Sequence, residues 1–299
     1  MSRLHARSSW ILVVGFVLTA CVHHEQPAGI GSIRFDLAGA STKLVVLGTA
    51  ATSTRFDDPH RLIPRQPTAL ALMAPAEQRI YLVGTPRGIV TQMDALRTNA
   101  NLPTSKQAGL VIDGVVPTDN TDSTVDGLVE LAIRPASSAL AVYASPRLEA
   151  KLREELARRG AKSACRFILL PPDRPFDLCP GLSIHAFPHE GPNEPEAFAI
   201  RGARRSVLYA PNLDMAIDPF IALREPIASN SIALLAAAPF ESGAIPPAAP
   251  SSAAETTTVR ALLTSFRPDD RCLDPSSSLR AQLAALGAVV LEDGAELWL

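Results

Sequence analysis

The residue types best suited to chemistry crowd into the stretch Pro117-Thr118-Asp119-Asn120-Thr121-Asp122-Ser123-Thr124-Val125-Asp126, where carboxylates and hydroxyls alternate over a few positions. Metal-assisted hydrolysis needs several nitrogen or carboxylate ligands converging on one ion, with a position left open for the water it acidifies. This stretch contains no histidine. Its simplest reading is a turn entering a helix, with Asp119, Asp122 and Asp126 favoured by the positive end of the helix dipole. The hydroxyls of Thr121, Thr124 and the distant Ser265 can bond one another or the Asp119 carboxylate without a cation, and a buried carboxylate needs such donors because its desolvation is otherwise costly.

The other reactive types are scattered. His189 lies in Phe187-Pro188-His189-Glu190-Gly191, just past an apolar run. His185 sits inside that run, where alternation makes it a packed or surface residue. His23 and His24 have no third partner nearby, and Asp57, Asp58 and His60 read as a surface turn. No Gly-x-Ser-x-Gly, phosphate loop, Cys-x-x-Cys or dinucleotide fingerprint is present, and nothing orders the Ser, His and Asp residues into a triad.

Positioning the 117–126 stretch falls to a strand before it and a helix after it. Leu110, Val111, Ile112, Val115 and Val116 predict a buried strand that Pro117 ends. Val125, Leu128, Val129 and Ile133 then recur at helical spacing until Pro135. Upstream, 33–35, 43–47, 68–72 and 80–83 read as strands, and Thr85-Pro86 reads as the cap and first turn of a helix with the stripe Ile89, Val90, Met93 and Leu96. Downstream, 140–143 is a strand, and Ser145-Pro146 caps a helix carrying Leu148, Leu152 and Leu156 that Gly160 closes. Strands follow at 167–170, 182–187, 198–200 and 207–209. A helix from Asp274-Pro275 carries Leu279, Leu283 and Leu286 to Gly287, and 289–299 reads as a hairpin turning at Asp293-Gly294. This alternation predicts sheets packed in the middle with helices outside.

At these residues the chain resembles the metallo-β-lactamase fold and, within it, the coenzyme PQQ biosynthesis protein B branch. Enzymes of that fold carry Thr-His-x-His-x-Asp-His-x-x-Gly at this junction. Setting Thr118 and Gly127 on the ends of the pattern puts Asp119, Thr121, Ser123 and Thr124 at the ligand positions. Leu47-Gly48-Thr49-Ala50-Ala51 and Tyr209-Ala210-Pro211-Asn212-Leu213 resemble the branch closely, as does the ending Gly-x-x-Val-x-x-Asp-Gly-x-x-x-x-Leu; the cysteines with which the branch binds a structural zinc are missing from 52–67. The resemblance spans 43–299 and implies an α/β protein of αββα sandwich form. It implies a pocket at one edge lined by Asp119, Thr121, Asp122, Ser123, Thr124, His189, Asn212 and Ser265, the last two standing where the fold has a bridging Asp and a His.

What it implies for activity follows from those replacements. A metal-free, non-catalytic pseudoenzyme is expected, binding PQQ, a precursor or a related small acidic or quinone-like ligand, with a quinoprotein as a possible protein partner. The alternative is a mononuclear hydrolase or oxygenase holding a single Zn or Fe through Asp119, His189 and a third ligand such as Asp122.

Residues 1–20 combine Arg3 and Arg7 with an apolar run from Trp10 to Leu18, a secretory signal too short to span a bilayer. Leu18-Thr19-Ala20-Cys21 resembles a bacterial lipobox, which implies acylation at Cys21. Acyl chains bury about 0.8 kcal/mol per methylene, so several make a lasting anchor. Val22 after it implies the periplasmic face of the outer membrane. The expected organisation is a signal at 1–20, a lipidated tether at 21–32 and one domain at 33–299, with a mobile Ala/Pro/Ser/Thr-rich loop at 241–258. A composition 47% hydrophobic and 19% charged with net charge -2 argues for a globular core and against nucleic-acid binding. Cys165 and Cys179 flank a proline-rich turn; if the chain is exported a disulfide between them is open but not fixed by the sequence, which cannot give their separation, and Cys272 would then be a free thiol.

Overall fold

Period-two alternation decides which side chains enter which layer. In β1 (Lys43–Gly48), Leu44 and Val46 point into one core while Val45 and Leu47 point into another. The same division repeats along β2 (Ala69–Ala74), β3 (Arg79–Val83), β4 (Gly114–Val116) and β5 (Leu140–Ala144). The computed structural model describes residues 42–50, 66–97, 111–134, 139–161, 164–171, 174–188, 195–203, 205–210, 231–236, 261–264, 273–274, 276–285 and 288–299, all within the unit Ser32–Leu299.

With β6 (Cys165–Leu169) and β14 (Glu296–Trp298), these strands form a seven-stranded sheet in the order β14-β1-β2-β3-β4-β5-β6. Its first half is antiparallel and its second, from β3 to β6, parallel. A second seven-stranded sheet runs β13-β12-β11-β10-β9-β8-β7, built from β7 (Phe176–Cys179), β8 (Leu182–Pro188), β9 (Pro195–Arg201), β10 (Ser206–Ala210), β11 (Ser231–Ala236), β12 (Ala261–Thr264) and β13 (Ala288–Val290). Leu44, Leu72, Tyr81 and Tyr143 of the first sheet meet Ile184, Phe198, Val207 and Tyr209 of the second in one buried core. The opposite face of the first sheet is covered by α1 (Ile89–Arg97), α2 (Asp122–Ala132) and α3 (Pro146–Arg158), through stripes such as Ile89-Met93-Leu96 and Leu148-Leu152-Leu156. The helix α4 (Ser278–Ala285) packs beside β13. The layers are therefore those expected of an αββα sandwich.

Local signals were accurate where a side chain caps its own element. Ser145 accepts from Leu148 N, Pro146 occupies the first turn of α3, and Gly160 adopts φ +72° just beyond it. Elsewhere the structure corrects the sequence. The strand before the polar loop begins only at Gly114: Val111 is 40% exposed, and Asp113 instead pairs with Arg79 and takes Ile80 N–H. Gly114 must be glycine because a Cβ would lie 2.6 Å from the Tyr143 ring. The helix expected from Thr85 starts at Ile89, because Gly84 and Gly88 both adopt positive φ and hold 84–88 in a turn. Ile133 is 50% exposed at the C-cap of α2 and does not join its buried stripe. The helix expected from Asp274 starts at Ser278, Asp274 turning back to Ser276.

Two larger corrections concern pairing. The expected 289–299 hairpin is no hairpin, since β13 joins the second sheet and β14 the first. Asp293 and Gly294 turn the chain between them, with Asp293 bound by Thr49 Oγ1 and Gln66 N at 2.7 Å each and Gly294 N donating to Val46 O. The disulfide that the sequence left open is not formed: Cys165 and Cys179 are both free. Cys165 faces the helices while Cys179 packs against the core between the sheets, so the first sheet separates the two thiols. Burial pushes the Cys165 thiol up to about 11. Cys21, 33–35, 52–65, 241–258 and Cys272 lie outside the described residues.

Candidate functional site

The site grows from the carboxyl end of β4. Thr118 and Asp119 are buried and Thr121 is the N-cap of α2, its hydroxyl accepting from Thr124 N. The helix can sit this close only because Gly127 has no side chain: a Cβ there would lie 2.2 Å from Thr85 O and 2.4 Å from Pro86 O. Asp119 then turns back onto the helix start. Its Oδ1 accepts from Thr121 N at 2.9 Å, Thr121 Oγ1 at 2.7 Å and Thr124 Oγ1 at 2.5 Å. Thr118 Oγ1 stands 3.4 Å from Oδ2. The hydroxyls of Thr121 and Thr124 thus satisfy this carboxylate as their chemistry led us to expect.

Two of the other loop candidates face elsewhere. Asp122 is bound by Lys151 Nζ at 2.8 Å on α3, and that bond holds its carboxyl below the usual carboxylate range. Ser123 Oγ accepts from Arg87 N at 3.1 Å. Asp126 is bound by the Arg87 guanidinium, outside the cluster. The structure therefore unites Asp119, Thr121 and Thr124, with Asp122 and Ser123 bonded to Lys151 and Arg87 instead.

In the second sheet, β8, β10, β11 and β12 run in one direction, and their register aligns Phe187, Ala210, Ala236 and Thr264 near a common edge. The chain leaves that edge toward His189, Asn212 and Ser265, which themselves lie outside the described residues. His185 points to the opposite face of β8 from Ile184 and Ala186, its ring 4.3 Å from that of Phe187. One residue was missed by sequence reasoning. Tyr209 ends β10 fully buried, and its hydroxyl is held protonated by burial first and by the nearby charge of Asp119 second. The available signal was alternation in Ser-Val-Leu-Tyr-Ala, which places Val207 and Tyr209 inward.

With one carboxylate, already carrying three donors on Oδ1, and two hydroxyls that donate to it, the described donor set is too small for a zinc ion. Among the described residues no group of three or more His, Cys, Asp or Glu side chains converges.

No protein-family model matches the sequence, and no curated protein matches it. Solved structures do match. A zinc-bound PqqB from Methylobacterium extorquens aligns with a TM-score of 0.61 at 19% identity, covering 86% of this chain and 100% of that one. The metallo-β-lactamase-fold protein YhfI from Bacillus subtilis aligns at 0.55 and 14% identity over 86% and 99% of the two chains. This chain has the metallo-β-lactamase fold. A diphosphatase of the PhnP family gives a TM-score of 0.57 at 18% identity, over 86% of this chain and 97% of that one. The metallo-β-lactamase fold thus accommodates the Asp119 cluster at the strand-to-helix junction where sequence resemblance placed it.

Proposed function

We propose that this protein is a metal-free, non-catalytic relative of the PQQ biosynthesis protein B branch that binds PQQ, a precursor or a related small quinone-like ligand. The observation that carries the reading is the state of Asp119. Hydroxyls of Thr121 and Thr124 donate to Oδ1, so neutral donors stand against this oxygen where the fold's enzymes set metal ligands, which supports the metal-free reading. The stretches 47–51 and 209–213 and the C-terminal ending support the choice of branch, and the shared fold is compatible with it. In this reading Cys21 is lipidated, the domain sits at the periplasmic face of the outer membrane, and a quinoprotein is the partner that receives the ligand.

Titration of the purified protein with PQQ and its precursors tests the ligand, and absence of binding at millimolar concentration removes it. Metal analysis of protein purified without chelators tests the rest. Near one equivalent of zinc or iron, lost in His189→Ala, would replace this reading with a mononuclear hydrolase or oxygenase. Radiolabelled palmitate should enter the wild-type chain in a bacterial host and fail to enter Cys21→Ala.

A further inference from the structure

The two sheets end in four edge strands, and three of them are blunted. β13 and β14 are only three residues long. β7 has an irregular register between Asp177 and Cys179 and carries the exposed Asp177. Short strands, irregularities and charges are the usual guards against pairing with another chain. β6 is different: its five residues pair with β5 in unbroken parallel register and include no proline. Its apolar run is also uncovered. Leu169 is 64% exposed, more than any other large apolar side chain among the described residues, and Ile168 and Leu170 are half-buried.

The backbone of this edge faces outward at known positions. Leu140 N donates to Ala164 O, so alternation turns the N–H and C=O of Cys165, Phe167 and Leu169 away from β5. Among the described residues none of these groups meets a backbone partner. Charge then selects the occupant. From 156 to 172 the chain holds Arg158, Arg159, Lys162 and Arg166 and no carboxylate. Arg158 and Arg159 are paired with Glu154, Glu155 and Asp126, whereas Arg166, on β6 itself, is exposed and has no ion-pair partner among the described residues. A second copy would bring the same positive edge, and five residues are far fewer than the roughly 20–30 a side of a stable interface.

We infer that β6 accepts an extended segment of a partner protein as an added strand, with a carboxylate of the segment opposite Arg166 and apolar residues on either side of it. Main-chain bonds to Cys165, Phe167 and Leu169 supply the attachment, and Arg166 supplies the choice of partner. Because β4, β5 and β6 are parallel, Leu169 lies at the same end of the sheet as Thr118 and Asp119. The docked partner therefore stands at the end that carries the candidate site, whichever ligand that site takes.

The test is titration of the full chain with the peptide acetyl-Ser-Val-Thr-Val-Glu-Val-Ser-amide, followed by amide NMR. The resonances of Cys165, Phe167 and Leu169 should shift, and at saturation their hydrogen exchange should slow by about tenfold or more. The same peptide with Lys in place of Glu should bind about threefold more weakly at low salt, the size expected of one exposed ion pair. Leu169→Pro removes an outward N–H and no bond to β5, so the chain should stay folded by circular dichroism and lose the peptide. Arg166→Glu, which leaves the backbone intact, should reverse the preference between the two peptides. No shift at millimolar peptide, shifts confined to residues away from β6, equal binding of the two peptides, or full binding by a folded Leu169→Pro overturns the inference. So does a concentration-dependent dimer of the wild-type chain that Leu169→Pro abolishes in sedimentation, which would give the edge to a second copy. None of these outcomes bears on the proposed ligand.

Discussion

Two aspartates bracket the three-residue strand β4, and their partners differ in kind. Asp113, at the amino end, gives Oδ2 to Ile80 N at 2.8 Å and Oδ1 to Arg79 Nη1 at 2.7 Å. Asp119, at the carboxyl end, is held among the described residues by an amide and hydroxyls alone. The two carboxylates are similarly buried, so burial does not distinguish them. Charge neutralisation does. A carboxylate paired with Arg79 is complete as a structural clamp between β3 and β4. Asp119 is held instead by neutral donors within five residues of it. On the same short strand, then, one end is fastened by an ion pair between strands and the other by neutral donors at the start of its own helix.

The widest separation between the two ends should appear at their glycines. In Gly127→Ala the new Cβ meets backbone oxygens of Thr85 and Pro86 at 2.2 and 2.4 Å, which cannot move without reshaping the turn. Such overpacking should destabilise the protein by about 3 kcal/mol in urea denaturation, against about half that for Gly114→Ala, where the Tyr143 and Tyr81 rings can shift. Equal losses would mean that the turn under α2 is as compliant as the rings.

Removing the carboxylates comes next in size. Asp119→Ala leaves the buried hydroxyl of Thr124 without its acceptor and removes the bond to the part-buried Thr121 N–H, and should lower stability by about 2 kcal/mol. Asp113→Ala should lose about 1 kcal/mol, because its Arg79 partner is half exposed and the ion pair is screened. Denaturation at low and high salt separates them: raising salt should shrink the Asp113 effect and leave the Asp119 effect unchanged. A salt-dependent Asp119 effect would reveal a cationic partner and break the comparison. Thr124→Val, which deletes one donor to Oδ1 while keeping the shape, should cost about 1 kcal/mol.

The smallest effect belongs to Asp122. Its carboxyl is held below the ordinary value of 3.8, mainly by the Lys151 hydrogen bond. A depressed folded-state value contributes stability above the unfolded value, and that contribution is lost as pH falls through the folded one. Lys151→Ala should therefore raise the Asp122 titration midpoint, followed by side-chain NMR, while stability at neutral pH hardly changes because the pair is exposed. No movement of the midpoint would show that Asp122 has another partner.

Much of this comparison was legible before the structure. Proline after an apolar run and hydroxyls before helical spacing marked the 117–124 loop, because those signals act through the backbone of the residues that carry them. The Asp119 hydroxyl cluster was legible for the same reason, its donors lying within five residues of the carboxylate. Asp122 and Ser123 were misplaced because their directions are set by Lys151, 29 residues ahead, and Arg87, 36 residues behind. No local pattern encodes such partners.

By itself the sequence determined most element types, the alternation that sorts side chains into two cores, and the polar turn that enters α2, but not the strands β7, β11 and β12. Only the tertiary structure decided that 288–290 and 296–298 belong to different sheets, that Cys165 and Cys179 stand on opposite sides of one, and that Tyr209 comes to lie near Asp119. The reason is one of range. Dihedral preferences and caps act over a few residues, whereas sheet membership and side-chain partners are settled by which distant apolar faces bury one another most completely.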